Sequence, residues 1–224
     1  LPAPDFLMRR LRTMLATYRT AGGNHPVLLF HDRAHGTELI DALARYGDGL
    51  PANTLPVEVN EVTQVGLEAI AASFAYGAAA IRFLLRAKPR HDVTGLHRTI
   101  ELAEPILSGL GFGSGKVATI ETDDPDSLSE ALQDIAVGET NPRPASFLPV
   151  GNKRDVQRFA LRELHRTAPA PVDVIALPVG APFGSVEVKV EGCTLCLACV
   201  SACPTGAMSA DSERPMLKFT EDAC

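Results

Sequence analysis

Tryptophan is absent from this 224-residue chain, and aromatic residues of all kinds make up only 5% of it. Any core is therefore built from aliphatic side chains and alanine. Cysteine is absent from the first 192 residues; all five lie between Cys193 and Cys224. A secreted disulfide scaffold spreads its cysteines through a short chain, so that class is excluded and a reducing, cytoplasmic compartment is expected. An excess of basic charge is missing too. Lys and Arg number 21 against 27 Asp and Glu, a net charge of −6, which argues against a nucleic-acid partner. Long apolar runs are lacking. The uncharged stretches Ala69–Ile81 and Val174–Val186 are 13 residues each, while a membrane-spanning helix needs ~20, so no membrane insertion is expected. No apolar run follows Arg9, Arg10 and Arg12, so no secretory leader is read there. The chain begins on Leu1 and stops on a cysteine, which suggests a segment of a longer protein.

What is present suits a folded chain: 46% hydrophobic and 21% charged residues are ordinary for a globular protein. The length suffices for one medium domain and a small one. Residues 4–20 carry Phe6, Leu7, Leu11, Met14, Leu15 and Tyr18 at helical spacing, and Gly22-Gly23-Asn24 ends that helix. Strands then alternate with helices. Val27–Phe30, Thr54–Val59, Ala80–Leu85 and Val117–Glu121 read as strands, with Ser146–Val150 as a short fifth. Helices are expected at Gly36–Tyr46, closed by Gly47, and at the alanine-rich Gly66–Gly77. Another spans Leu96 to Leu110, kinked or shortened by Pro105. A further one opens on the Ser127-x-x-Glu130 capping pattern, runs to Ile135 and is closed by Gly138. Val156, Phe159, Ala160 and Leu164 mark the last. Alternation of this kind predicts an α/β fold, a doubly wound flavodoxin-like parallel sheet of four or five strands. The expected organisation is an N-terminal helix in 1–25, the α/β domain in 26–167, a Pro/Gly-rich linker in 168–185 and a small α+β ferredoxin-like module in 186–224.

The cysteines of that module read Cys193-x2-Cys196-x2-Cys199-x3-Cys203-Pro204, the C-x2-C-x2-C-x3-C-P run that holds iron–sulfur clusters. Three thiolates two residues apart let one tight loop wrap three corners of a [4Fe–4S] cube, and the fourth is expected at the start of a short helix, pointing away. Pro204 is expected at the first position of that helix. Thr194, Leu195, Leu197, Ala198 and Val200 are expected to give the cluster a mostly dry wall. Zinc ligands come instead as two C-x2-C pairs with a longer spacer, so a zinc-binding interaction protein is the weaker reading.

Residues 186–224 resemble the two-[4Fe–4S] bacterial ferredoxins. After Pro204 the chain runs through a polar turn, Asp211–Pro215, and a strand-like Met216–Phe219 to Cys224, where that family begins its second cysteine run. The resemblance implies that Cys193, Cys196 and Cys199 hold one cluster, with a fourth ligand from the second run. Cys203 and Cys224 then belong to a second cluster, giving two in the intact protein. Neither is completed in the family's manner before the chain stops. Val57–Ile135 resembles the delta-subunit domain of methyl-viologen-reducing hydrogenase, which works beside heterodisulfide reductase. The resemblance is carried by Val59-Asn-Glu-Val62, the Glu68–Ala80 helix, the Ile81–Leu85 strand and the helices at Leu96–Leu110 and Ser127–Ile135. Those domains bear cysteines for a [2Fe–2S] centre, and this stretch has none, so only the scaffold and its docking role carry over. Chains that join an α/β part to ferredoxin repeats also resemble accessory or electron-transfer partners of formate dehydrogenases.

Two weaker signals stand outside the cysteines. Gly109–Lys116 is glycine-rich, but it follows a helix and departs from the GxxxxGK[ST] pattern, so a helix cap and turn is expected. His31 and His35 follow the first strand, where ligands bind in open α/β sheets; a polar loop capping the next helix is the favoured reading. Residues 186–224 carry six acidic and three basic side chains against 21 and 18 in the rest, an acidic face suited to basic partners. The expectation is an iron–sulfur electron-transfer protein serving redox partner proteins, with catalysis on the partner. The alternative is an α/β ligand-binding or docking module whose metal site is structural or redox-sensing; an apolar pocket at the carboxyl ends of strands one and three would support it.

Overall fold

The computed structural model describes every residue except 1–3, 138, 139, 142, 184, 185, 221, 222 and 224. The chain divides into two compact units, 1–181 and 182–224.

In the first unit, β1 (Val27–His31), β2 (Thr54–Glu58), β3 (Ala80–Leu85) and β4 (Val117–Glu121) form a four-stranded parallel sheet in the order β2-β1-β3-β4. β1 sets the register for both neighbours: Val27 stands opposite Thr54 on one side and Ala80 on the other. Strand side chains alternate between faces. Leu28, Phe30, Ile81, Phe83 and Leu85 therefore meet one layer, built by α1 (Pro4–Thr20), α3 (Leu67–Ala75), α4 (Thr94–Gly109) and α6 (Lys153–Thr167). Leu29, Leu84 and Ile120 meet the other, built by α2 (Glu38–Tyr46) and α5 (Pro125–Gln133). Burial on both faces is why β1 and β3 read as continuous apolar runs. α3 is sandwiched between sheet and helix, and Ala69, Ala71, Ala72 and Ala75, all buried, keep that approach close. α6, packed on α3, starts at Asn152, whose side chain accepts from the Arg154 and Asp155 N–H groups while Asp155 answers the Asn152 N–H. Asn152→Ala is expected to cost about 1 kcal/mol, lowering Tm by about 2–4 °C in thermal denaturation.

Three local expectations are corrected. Ser146–Val150 forms no strand: Ala145 donates to the Ala75 carbonyl (2.7 Å), and Phe147 tilts against Tyr76, whose hydroxyl donates to the Phe147 carbonyl. The segment is thus tied to the end of α3 rather than to the sheet. Pro105 neither shortens nor ends α4. Leu102, Ala103, Ile106 and Leu107 are buried on either side of it, which outweighs the ~3 kcal/mol penalty of an internal proline. α5 opens at Pro125, not Ser127, because Asp124 is the residue that accepts from the Ser127 N–H, and it ends at Gln133, short of Ile135. Gly138, its expected stop, lies outside the described residues. Residues 168–181 do more than connect: Ala170 donates to the Leu110 carbonyl, and Ile175, Leu177 and Ala181 pack on the main core.

Burial of His31, the last residue of β1, holds its imidazole below the ordinary 6.5, against the upward pull of the Asp32 carbonyl and the Glu58 carboxylate. A lowered pKa means the unfolded chain takes up the proton first. Stability from this group is full above about pH 6.5 and is lost as pH falls below it. Thermal melts between pH 7.5 and 5.5 are expected to drop for the native chain and to flatten in His31→Asn.

In the second unit, α7 (Ala198–Ala202) is followed by an antiparallel hairpin of β5 (Met208–Ala210) and β6 (Leu217–Phe219), with Met208 opposite Phe219. Asp211 organises its turn, accepting from the Glu213 and Arg214 N–H groups and pairing with Lys218. Among the described residues of this unit only Ala207 is a buried hydrophobic, as expected of so short a unit.

Candidate functional site

The cysteine run is shaped by backbone turns rather than by a core. Val190–Gly192 forms a short 3₁₀ turn from which Cys193 leaves in extended geometry, its N–H donating to the Val190 carbonyl. Leu195 (φ 54°) and Leu197 (φ 62°) then bracket Cys196 in the left-handed region. Leucine reaches that region at a cost of roughly 1–2 kcal/mol, a strain that clusters at functional loops. The Ala198 N–H, which follows these two residues, is a donor to the Cys196 sulfur. Cys199 sits inside α7, and Cys203 ends that helix.

Hydrogen bonds reach two of the sulfurs. The Cys196 thiol is held below its ordinary range by the Ala198 N–H, then by the Thr194 hydroxyl. The Cys203 thiol is lowered further, to about 7, by the Thr205 hydroxyl and by the Met208, Thr205 and Ala207 N–H groups. Sγ of Cys203 and Oγ1 of Thr205 are 3.5 Å apart. Cys193, Cys196, Cys199 and Cys203 are all free thiols. In the metal-free protein Cys203 is therefore half ionised near neutral pH, and the thiolate is the nucleophile. Iodoacetamide at pH 7 is expected to modify Cys203 more slowly in Thr205→Val, as followed by peptide mass spectrometry.

One expectation fails here. Pro204 does not open a helix: the helix precedes Cys203, and Pro204–Gly206 is a turn, closed by the Gly206 N–H on the Cys203 carbonyl with Gly206 at φ 69°. Leu195 and Leu197, expected to wall a bound cluster, are 37% and 39% exposed in the metal-free protein. Cys224 lies outside the described residues.

The donor set fits a cluster. Four thiols stand on one short run, and ligation needs the thiolate that the N–H donors favour. Among the described residues no group of three or more His, Cys, Asp or Glu side chains is gathered closely enough to hold a single metal ion. A [4Fe–4S] cube takes one thiolate per iron, so its ligands stand further apart.

The weaker signals resolve as ordinary structure. Asp32 accepts from the His35 and Gly36 N–H groups and caps the π-helical turn Arg33–Thr37; His35 Nε2 lies 3.0 Å from Asp123 Oδ1. Beside the glycine-rich loop, Glu104 accepts from the Gly115 N–H and from the Val117 N–H that follows it, each at 2.7 Å. No helix among the described residues is long and apolar enough to cross a membrane.

A 4Fe–4S binding domain matches residues 186–209, the stretch containing Cys193, Cys196, Cys199 and Cys203. No curated protein matches the chain. The match supports an iron–sulfur electron-transfer role, seated in the second unit.

Proposed function

We propose that this chain is a non-catalytic electron carrier, or a subunit of an oxidoreductase complex, that works between redox partner proteins in the cytoplasm. When bound, a [4Fe–4S] centre supplies one-electron storage. Cys193, Cys196 and Cys199 each give one thiolate to a first cluster, whose fourth ligand comes from a second cysteine run. Cys203 and Cys224 serve a second cluster. The N–H donors on Cys196 and Cys203 stabilise negative charge on sulfur and so raise the reduction potential.

The observation that carries this reading is the 4Fe–4S domain match over the C-x2-C-x2-C-x3-C run. The α/β unit serves as the docking body. Its strand order, switching direction between β1 and β3, supports a flavodoxin-like doubly wound scaffold, and its resemblance to the hydrogenase delta subunit points to a formate dehydrogenase or hydrogenase/heterodisulfide reductase system. Anaerobic purification followed by iron, sulfide and zinc analysis and by electron paramagnetic resonance after reduction tests the proposal. Iron and sulfide in equal amounts with a reduced-cluster signal are expected. A colourless protein holding zinc alone overturns it.

A further inference from the structure

The carboxyl ends of β1, β2 and β3 enclose a cleft of about 280 Å³ in the first unit. It lies at the point where strand order reverses, the crevice in which open α/β sheets bind ligands. An apolar pocket there would have supported the ligand-binding alternative; the observed lining is largely cationic. Arg33 leaves the end of β1, and Arg86, Arg90 and His91 leave the end of β3. Arg86 donates to the Ala34 carbonyl (3.3 Å), tying the two strand ends together. Neither Arg33 nor Arg90 forms an ion pair among the described residues. Asp32 and Glu61 share the cleft, but an Asp32 oxygen is already committed to the His35 and Gly36 N–H groups.

We propose that this cleft binds a phosphorylated small molecule. Guanidinium groups present planar, bidentate donors to phosphate. Arginines approaching from two strand ends match an anion with three terminal oxygens better than a carboxylate, which one guanidinium satisfies. Asn60, Thr63 and Glu61 line the far side and suit the hydroxyls of a polar body. A sugar phosphate and a nucleotide share this chemistry.

The proposal is independent of the iron–sulfur reading, and titration calorimetry on the full chain, with and without bound iron, separates the two. Inorganic phosphate, ribose 5-phosphate, adenosine monophosphate and acetate are the probes. Ribose 5-phosphate and inorganic phosphate binding, with acetate weaker, is the expected result; the monophosphate nucleotide tells whether the body is a sugar or a nucleoside. Arg33→Gln and Arg90→Gln are each expected to weaken phosphate binding at least about tenfold. Arg33→Lys and Arg90→Lys, which keep the charge but lose the fork, fall between. Arg45→Gln, in the last turn of α2, controls for general charge. Absence of phosphate binding at millimolar concentration, acetate binding as tightly as phosphate, or an equal loss in Arg45→Gln overturns the proposal.

Discussion

Cys196→Ala and Cys199→Ala are each expected to strip about four iron atoms per chain from the anaerobically reconstituted protein, together with the visible absorption that accompanies them. A cube held by one thiolate per iron loses a corner with any one of these sulfurs, and an alanine methyl offers no replacement ligand. Cys193→Ala is expected to match them. Cys203→Ala separates the ligand sets: under the proposed assignment it removes the second cluster and leaves the iron held by the first three cysteines. Leu197→Gly supplies the control. Glycine occupies a φ of 62° without strain, so the loop keeps its turn and its iron. Iron content unchanged in Cys196→Ala, or lost equally in Leu197→Gly, defeats the assignment.

The strands were legible because their burial is simple. β1 and β3 each appear as a short apolar run at the predicted place, since a strand covered on two faces has no polar face to blur the pattern. Two of the failures share a cause: a local signal was answered by a residue outside the segment that carried it. Ser146–Val150 has strand-like composition, but its neighbour Ala145 pairs with the Ala75 carbonyl, 70 residues earlier, and no periodicity reports that. Ser127-x-x-Glu130 imitates a capping box, yet Asp124, three residues upstream, holds the Ser127 N–H. The cysteine run was legible by its spacing alone. Thr205 and the left-handed leucines that shape it were not, because a φ of 54° or 62° at leucine runs against leucine's own preference. The arginine cleft lay further out of reach. Arg33 and Arg86 stand 53 positions apart and meet only because β1 and β3 are neighbours with β2 placed outside them.

Phe83→Ala is expected to produce the largest loss of stability in the first unit. Phe83 is fully buried in β3, and its ring stacks on Phe30 of β1 with centroids 5.4 Å apart. Removing a buried phenyl ring costs about 3–5 kcal/mol through lost transfer energy and the cavity left behind. Domains of this size are stable by only about 5–15 kcal/mol, so the variant sits near the edge of folding. At about 2–4 °C per kcal/mol, Tm falls by roughly 6–20 °C, read by calorimetry or circular dichroism. Phe83→Leu retains most of the volume and is expected to fall by less than half as much. Phe219→Ala, at a position 40% exposed in the hairpin, is expected to leave that transition where it is. Both hydrophobic clusters are built wholly from residues of the first unit. Below its melting point Phe83→Ala should therefore take up iron as the native chain does, whereas Cys196→Ala should lose iron and keep its Tm. An Fe-replete Phe83→Ala beside an iron-free, fully stable Cys196→Ala assigns stability to the α/β body and cluster binding to the cysteine loop; a shared loss of both properties in either variant shows that the two are coupled.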